Sequence, residues 1–176
     1  MYIKEGINGR NIVIIGMPGA GKSTLGVILA KTLGMKFADT DIAIQEQTGR
    51  LLQDIIDQDG PDAFLATEER TILSLQYHHT VIATGGSMVF SGKAMEHLKS
   101  GGIVLYLRIS FEEMVKRLGN ITTRGIVLFA GQSLHDMYNQ RVPAYEKYAD
   151  ITIDCSGNDF ENCIRNVIDE LRMVPA

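Results

Sequence analysis

Nine residues, Gly16-Met17-Pro18-Gly19-Ala20-Gly21-Lys22-Ser23-Thr24, fit the pattern G-x-x-x-x-G-K-[ST] and follow the apolar run Ile12 to Ile15. A polyphosphate must be held by donors that point inward on a tight curve, a task for backbone N–H groups because side chains are too bulky. Gly16, Gly19 and Gly21 tolerate the positive φ angles of such an anion nest, with Ala20 and Thr24 completing the loop. Lys22 adds a charge suited to β and γ phosphates, and a helix starting near Ser23 points the positive end of its dipole at the same anion. Ser23 offers its hydroxyl to Mg²⁺. The bland alternative is a glycine-rich strand-to-helix turn with no ligand. Every fixed position is filled, however, so the loop predicts binding of ATP with Mg²⁺.

Transfer of a phosphoryl group also needs an acceptor oxygen in line, charge neutralised on the phosphoryl oxygens, and water excluded. Ala38-Asp39-Thr40-Asp41 supplies two acids at i and i+2, with Asp41 also placed to cap the next helix. Thr84-Gly85-Gly86-Ser87 lets a ligand approach backbone closely. Arg117, Arg124 and Arg141 are candidates for the phosphates. Two of them also have an ordinary use: Arg117 stands four residues after Glu113, and Arg141 is near Glu146, whereas Arg124 has fewer local partners. His78, His79, His97 and His135 lack partners at useful spacing and read as surface residues, while Met95, Met114 and Met137 read as core fillers.

These groups must be carried by a frame. Asn11 to Gly16, Lys36 to Asp39, Thr80 to Thr84, Gly102 to Ile109 and Ile151 to Asp154 read as strands. Helical patterns cover 22–33, 41–48, 51–57, 61–77, 92–99, 111–118, 133–141 and 159–172. The alternation predicts an α/β fold, a five-stranded parallel sheet with helices on both faces. In such sheets ligands gather at the C-terminal strand ends, just where Asp39, Asp41, Gly85 and Gly86 fall. The stretch 119–136, with Arg124 between glycines, reads either as a short strand or as a mobile lid.

With 176 residues and 45% apolar composition, the chain predicts one domain, 1–176. A net charge of −4 with scattered Lys and Arg gives no footprint for nucleic acid or an anionic membrane. No run reaches a membrane span and residues 1–10 show no apolar leader, so a cytoplasmic monomer acting on a small molecule is expected. Cys155 and Cys163, eight apart and without a CxxC or a nearby His, read as free thiols.

Taken together, the glycine loop, D-T-D at 39–41, T-G-R at 48–50, the Gly-Gly turn and R-x-P-x-Y at 141–145 make nearly the whole chain resemble the shikimate kinases, small P-loop kinases related to the nucleoside monophosphate kinases. The resemblance implies a P-loop NTPase fold with a lid and an ATP- and Mg²⁺-dependent phosphotransferase. It implies that Lys22 and Ser23 bind ATP and Mg²⁺, and that Asp39 holds the metal through water. It further implies that Asp41 binds the acceptor hydroxyl and helps take its proton. Arg117 resembles the adenine-stacking arginine, Arg124 the lid arginine on the transferring phosphate, and Arg141 the arginine on the acceptor carboxylate. There are departures. Leu65 stands where the family has an arginine for the carboxylate, Ser87 replaces the third glycine of the turn, and Gly125 replaces the proline after the lid arginine. Shikimate is therefore the leading acceptor. Another hydroxylated metabolite such as a sugar acid or homoserine is the alternative, followed by a nucleotide-binding regulatory domain and a nucleoside monophosphate kinase.

Overall fold

The run Asn11–Gly16 forms strand β1, buried at all six positions, in a computed structural model that describes residues 7, 9–119, 125–157 and 159–175. The chain continues through α1 (Lys22–Leu33), β2 (Lys36–Asp39), α2 (Thr40–Thr48), α3 (Leu52–Asp59), α4 (Pro61–Ser74) and β3 (Thr80–Ala83). After a single 3₁₀ turn (Met88–Phe90) come α5 (Gly92–Ser100), β4 (Gly102–Arg108), α6 (Phe111–Leu118), α7 (Leu134–Tyr148), β5 (Ile151–Asp154) and α8 (Phe160–Met173). The strands pair in parallel in the order β2-β3-β1-β4-β5. The expected five-stranded parallel sheet is thus present.

Strands β1, β3 and the interior of β4 are buried on both sides, which is why they read as unbroken apolar runs, whereas the edge strands β2 and β5 are only partly covered. The step from β1 to β2 runs toward one edge and the step from β3 to β4 toward the other. Right-handed crossovers therefore place α1 and α5 on opposite faces of the sheet. The chain direction reverses at β1, which opens a crevice at the C-terminal ends of β3, β1 and β4. Beside the main core, a second cluster of Ile44, Ile55, Ile56, Phe64 and Val127 ties α2, α3 and α4 to the segment after Gly125.

Several expectations need correction. Asp39, not Asp41, caps α2: its Oδ1 accepts from the Asp41 backbone N–H at 3.0 Å, so the helix starts at Thr40. Helix α4 stops at Ser74, short of the expected Tyr77, because Leu75 adopts extended backbone. Helix α7 does not end at Arg141 but carries Pro143 inside it and runs to Tyr148. Residues 125–129 form neither strand nor helix; Val127 is buried in the second cluster and its carbonyl accepts from Arg141 at 2.8 Å. His97 is half-buried, with Nε2 at 3.0 Å from the Leu75 carbonyl, rather than a partnerless surface residue. Met95, Met114 and Met137 fill the core as expected.

The cysteines are not free thiols. Cys155, just after β5, and Cys163, in the first turn of α8, form a disulfide buried on both sides. Spacing alone hides this pairing, because only the turn into α8 brings the two Cα atoms to 5.6 Å. Closing so short a loop stabilises by roughly 2 kcal/mol through the unfolded chain. Replacing both cysteines with serine should therefore lower the melting temperature by about 4 to 8 °C, and non-reducing peptide mapping should recover the two cysteines as one linked species.

Candidate active site

Helix α1 begins at a left-handed glycine in place of a side-chain cap: Gly21 has φ 91° and makes no capping hydrogen bond, and the first turn carries no acid. By contrast, Ser91, Ser110, Ser133 and Asp159 cap α5, α6, α7 and α8 with side-chain oxygens. An uncapped N-terminus leaves its N–H groups for an anion, and Gly16 and Gly19 also have positive φ, as a nest requires. Lys22 is buried and folded over the loop, Nζ donating to the carbonyls of Gly16 and Met17 at 2.8 Å each. The loop is thus preshaped, with its cation already beside the site.

The second strand supplies the oxygens next to it. Asp39 Oδ2 accepts from the Ser23 hydroxyl at 2.6 Å, and its other oxygen holds the start of α2, which fixes Asp41 at the mouth of the same cavity. A hydroxyl and a carboxylate side by side are hard oxygen donors of the kind Mg²⁺ takes when phosphates and waters complete its octahedron. Ser23 and Asp39 fit that ion. Among the described residues no group of three or more His, Cys, Asp or Glu could hold a metal by itself, which a site of this type does not need.

Arg141 comes from the far side of the cavity. It is only 2% exposed, donates to the Val127 carbonyl at 2.8 Å and has its guanidinium carbon 5.5 Å from the Phe90 ring centroid. Among the described residues no carboxylate lies within ion-pair distance of it, and its Nε has no hydrogen-bond partner. Burying a cation in this way is costly unless an anion joins it. Tyr145, one turn on, stacks on Tyr106 at 5.1 Å and donates to the Gly86 carbonyl at 2.6 Å, so R-x-P-x-Y fastens the turn after β3 to α7. Burial pushes the Tyr145 hydroxyl up to about 12, and it remains a donor at any physiological pH.

One cavity therefore brings together Lys22, Ser23, Asp41, Gly85, Gly86 and Arg141. The comparisons with known proteins agree with this geometry. A family model described as shikimate kinase matches residues 18–172. The shikimate kinase of Haemophilus influenzae is 37% identical over 164 residues, covering 91% of each chain, and that of Mycobacterium leprae is 38% identical over 165 residues, covering 91% of this chain and 81% of its own. This chain belongs to the shikimate kinase family. The crystallised shikimate kinase of Acinetobacter baumannii, a complex with shikimate, superposes with a TM-score of 0.82 at 30% identity, covering 96% of this chain and 94% of that one. The fold is the P-loop NTPase fold of that family, whose members are ATP- and Mg²⁺-dependent phosphotransferases.

The other family motifs sort by position. Arg117 makes the ordinary i,i+4 pair with Glu113 at 2.7 Å, yet it also donates to the carbonyls of Gly19 at 3.2 Å and Cys155 at 3.3 Å, bridging the phosphate loop and the turn after β5. The guanidinium holds the Glu113 carboxyl below its usual range. T-G-R is structural: Gly49 ends α2 with φ 65°, and Arg50 reaches across α3 to Asp59 at 2.5 Å. Arg124 lies outside the described residues, as does part of the expected lid, 119–136. Leu65, where the family has its arginine, does not line the cavity beside the phosphate loop. It lines a neighbouring hollow with Glu69, Phe90 and Ser91, separated from that cavity by Glu68 and Ser87, which border both.

Sequence reasoning missed Glu68, an acid only 2% exposed in the cavity wall. A signal was available. Phe64, Glu68, Thr71 and Ile72 form the buried stripe of α4, and an acid at the inner position of such a stripe is seldom structural alone. Ser87, the departure from the family's third glycine, is its partner, its hydroxyl donating to Glu68 Oε2 at 2.8 Å.

Gly85 is where space is tightest. A β-carbon there would overlap Glu68 Oε1 and lie 2.9 Å from Asp41 Oδ1, although the backbone itself would accept an alanine. Gly85→Ala should therefore fold, keep ATP affinity and raise the acceptor KM at least about tenfold, in an ADP-release assay paired with ATP titration by fluorescence.

Proposed function

We propose that this protein transfers the γ-phosphoryl group of ATP to a hydroxyl of shikimate. The buried Arg141, which has no carboxylate partner among the described residues, carries the reading, because an acceptor with its own carboxylate completes that site. In this reading the backbone from Gly16 to Thr24 holds the β and γ phosphates with Lys22. Arg117 lies against the adenine side of the loop, and Arg124, on the lid, meets the transferring group. Ser23 and Asp39 would hold Mg²⁺, which would supply neutralisation of the phosphate charge.

Asp41 accepts a hydrogen bond from the acceptor hydroxyl and takes its proton as the new oxygen–phosphorus bond forms and the bond to ADP breaks. Gly85 and Gly86 let the acceptor ring approach backbone, and Arg141 fixes its carboxylate, so the hydroxyl is presented in line. The site is complete within one chain, which suits a monomer. No helix among the described residues is long and apolar enough to cross a membrane, in keeping with a cytoplasmic enzyme.

Leu65 favours a second reading, an acceptor other than shikimate, since one cation rather than two serves the carboxylate. Coupled ADP release with MgATP and shikimate decides between them: turnover saturating at micromolar to low millimolar shikimate is expected, whereas turnover only with gluconate or homoserine would replace it. Lys22→Ala should reduce that turnover by about a hundredfold or more. Leu65→Arg, which adds a cation beside Glu68, tests this second reading: a shikimate KM lowered several-fold would show that this one position had weakened the site for shikimate, and an unchanged KM would show that the hollow at Leu65 plays no part in acceptor binding.

A further inference from the structure

Two acids converge on one point beside Gly85, and only one of them is explained by transfer chemistry. Asp41 is half-buried at the cavity mouth, whereas Glu68 is sealed in the wall at 2% exposure. A β-carbon on Gly85 would touch both, so Glu68 Oε1 and Asp41 Oδ1 border the same small volume. Glu68 Oε2 accepts from the Ser87 hydroxyl at 2.8 Å, but Oε1, almost wholly shielded in the wall of the cavity that Glu68 lines, has no partner among the described residues. The charged and titratable groups facing Glu68 are Asp41 on α2, Lys22 on α1, and Arg141 and Tyr145 on α7.

An ionised carboxylate in that position would be short of hydrogen bonds on one oxygen and beside another carboxylate, with Leu65 where a cation could have stood. A neutral carboxyl avoids both costs and gains a donor. Burial pushes the Glu68 carboxyl up to about 7; the Ser87 hydroxyl works against that rise and Asp41 adds to it. Two acids whose surroundings separate their proton affinities commonly divide two tasks.

We propose that Glu68 is a specificity residue of the acceptor pocket: its protonated carboxyl donates, through Oε1, to an acceptor oxygen adjacent to the hydroxyl that Asp41 engages. This rests on the assignment of the Asp41 side of the cavity to the acceptor. It follows that the pocket selects an acceptor with neighbouring oxygens, one meeting a carboxylate and the next meeting a donor. The Glu68 proton is not consumed; the proton that moves in the reaction goes to Asp41.

The test combines kinetics with an optical readout. At saturating MgATP, the wild-type shikimate KM should be flat below about pH 6 and rise toward tenfold per unit above about pH 7, as the donor is lost. Glu68→Gln keeps a donor of similar size, so its KM should stay within several-fold of the wild-type value at pH 6 and lose that pH dependence. Glu68→Ala should raise KM at least about tenfold while changing kcat less. A deoxy analogue of shikimate lacking a hydroxyl next to the reacting one should cost wild type about tenfold in KM, and cost Glu68→Ala no more than about twofold further. Additive losses, or a pH dependence that persists in Glu68→Gln, would overturn the proposal.

Infrared spectra at pH 6 should show a protonated carboxyl C=O band in wild type that is missing in Glu68→Gln. Its absence from wild type overturns the proposal whatever the acceptor is. A band that is present with no turnover of shikimate counts instead against the acceptor assignment, and the same kinetic cycle is then decisive on the hydroxy acid that is turned over.

Discussion

The carboxylate of Asp39 joins the two halves of the site. One oxygen takes the Ser23 hydroxyl at the start of α1, and the other takes the Asp41 backbone N–H in the first turn of α2. Charge-assisted hydrogen bonds of this kind are each worth about 1.5 to 3 kcal/mol, but their larger effect is geometric. The phosphate loop follows β1 and Asp41 follows β2, strands that are not neighbours in the sheet. With Asp39 in between, the distance from the phosphate loop to Asp41 is set by one side chain of two rotatable bonds rather than by two loops.

The opposite wall is built by different means. Arg141 and Tyr145 lie one turn apart on α7, and both reach the turn after β3, the tyrosine to the Gly86 carbonyl and the arginine to the space beside Gly86. Tyr145 is held by its stacking on Tyr106 of the interior strand β4, so this wall is referenced to the sheet. A charged group held that rigidly in a dry setting interacts more strongly with an incoming anion than one in water would.

How much of this could be read from residues alone depended on whether the determinant was local. Strands β1, β2 and β5 and helices α1 and α6 begin and end where their apolar pattern and glycine punctuation say, and the phosphate loop is wholly local chemistry. Asp39 and Asp41 were both recognisable, but which of them caps α2 turns on a backbone angle. Pro143 lies within α7, although proline usually argues for an end, because the helix is held by buried Arg141 and Tyr145 on either side of it. The Cys155–Cys163 bond and the burial of Glu68 arise from tertiary approach. Nothing in an eight-residue spacing, or in a lone acid on α4, states what lies opposite.

The second apolar cluster has a mechanical meaning. Ile44, Ile55, Ile56, Phe64 and Val127 form a cluster distinct from the main core, yet Ile72 of α4 belongs to the main core and Ile126 and Leu128 pack against it. Helices α2, α3 and α4 and the segment after Gly125 thus share a small pool of cohesion that is itself tied to the sheet. Val127 sits in that pool, and its carbonyl is the hydrogen-bond partner of Arg141. The position of the cluster therefore bears directly on that of the Arg141 guanidinium.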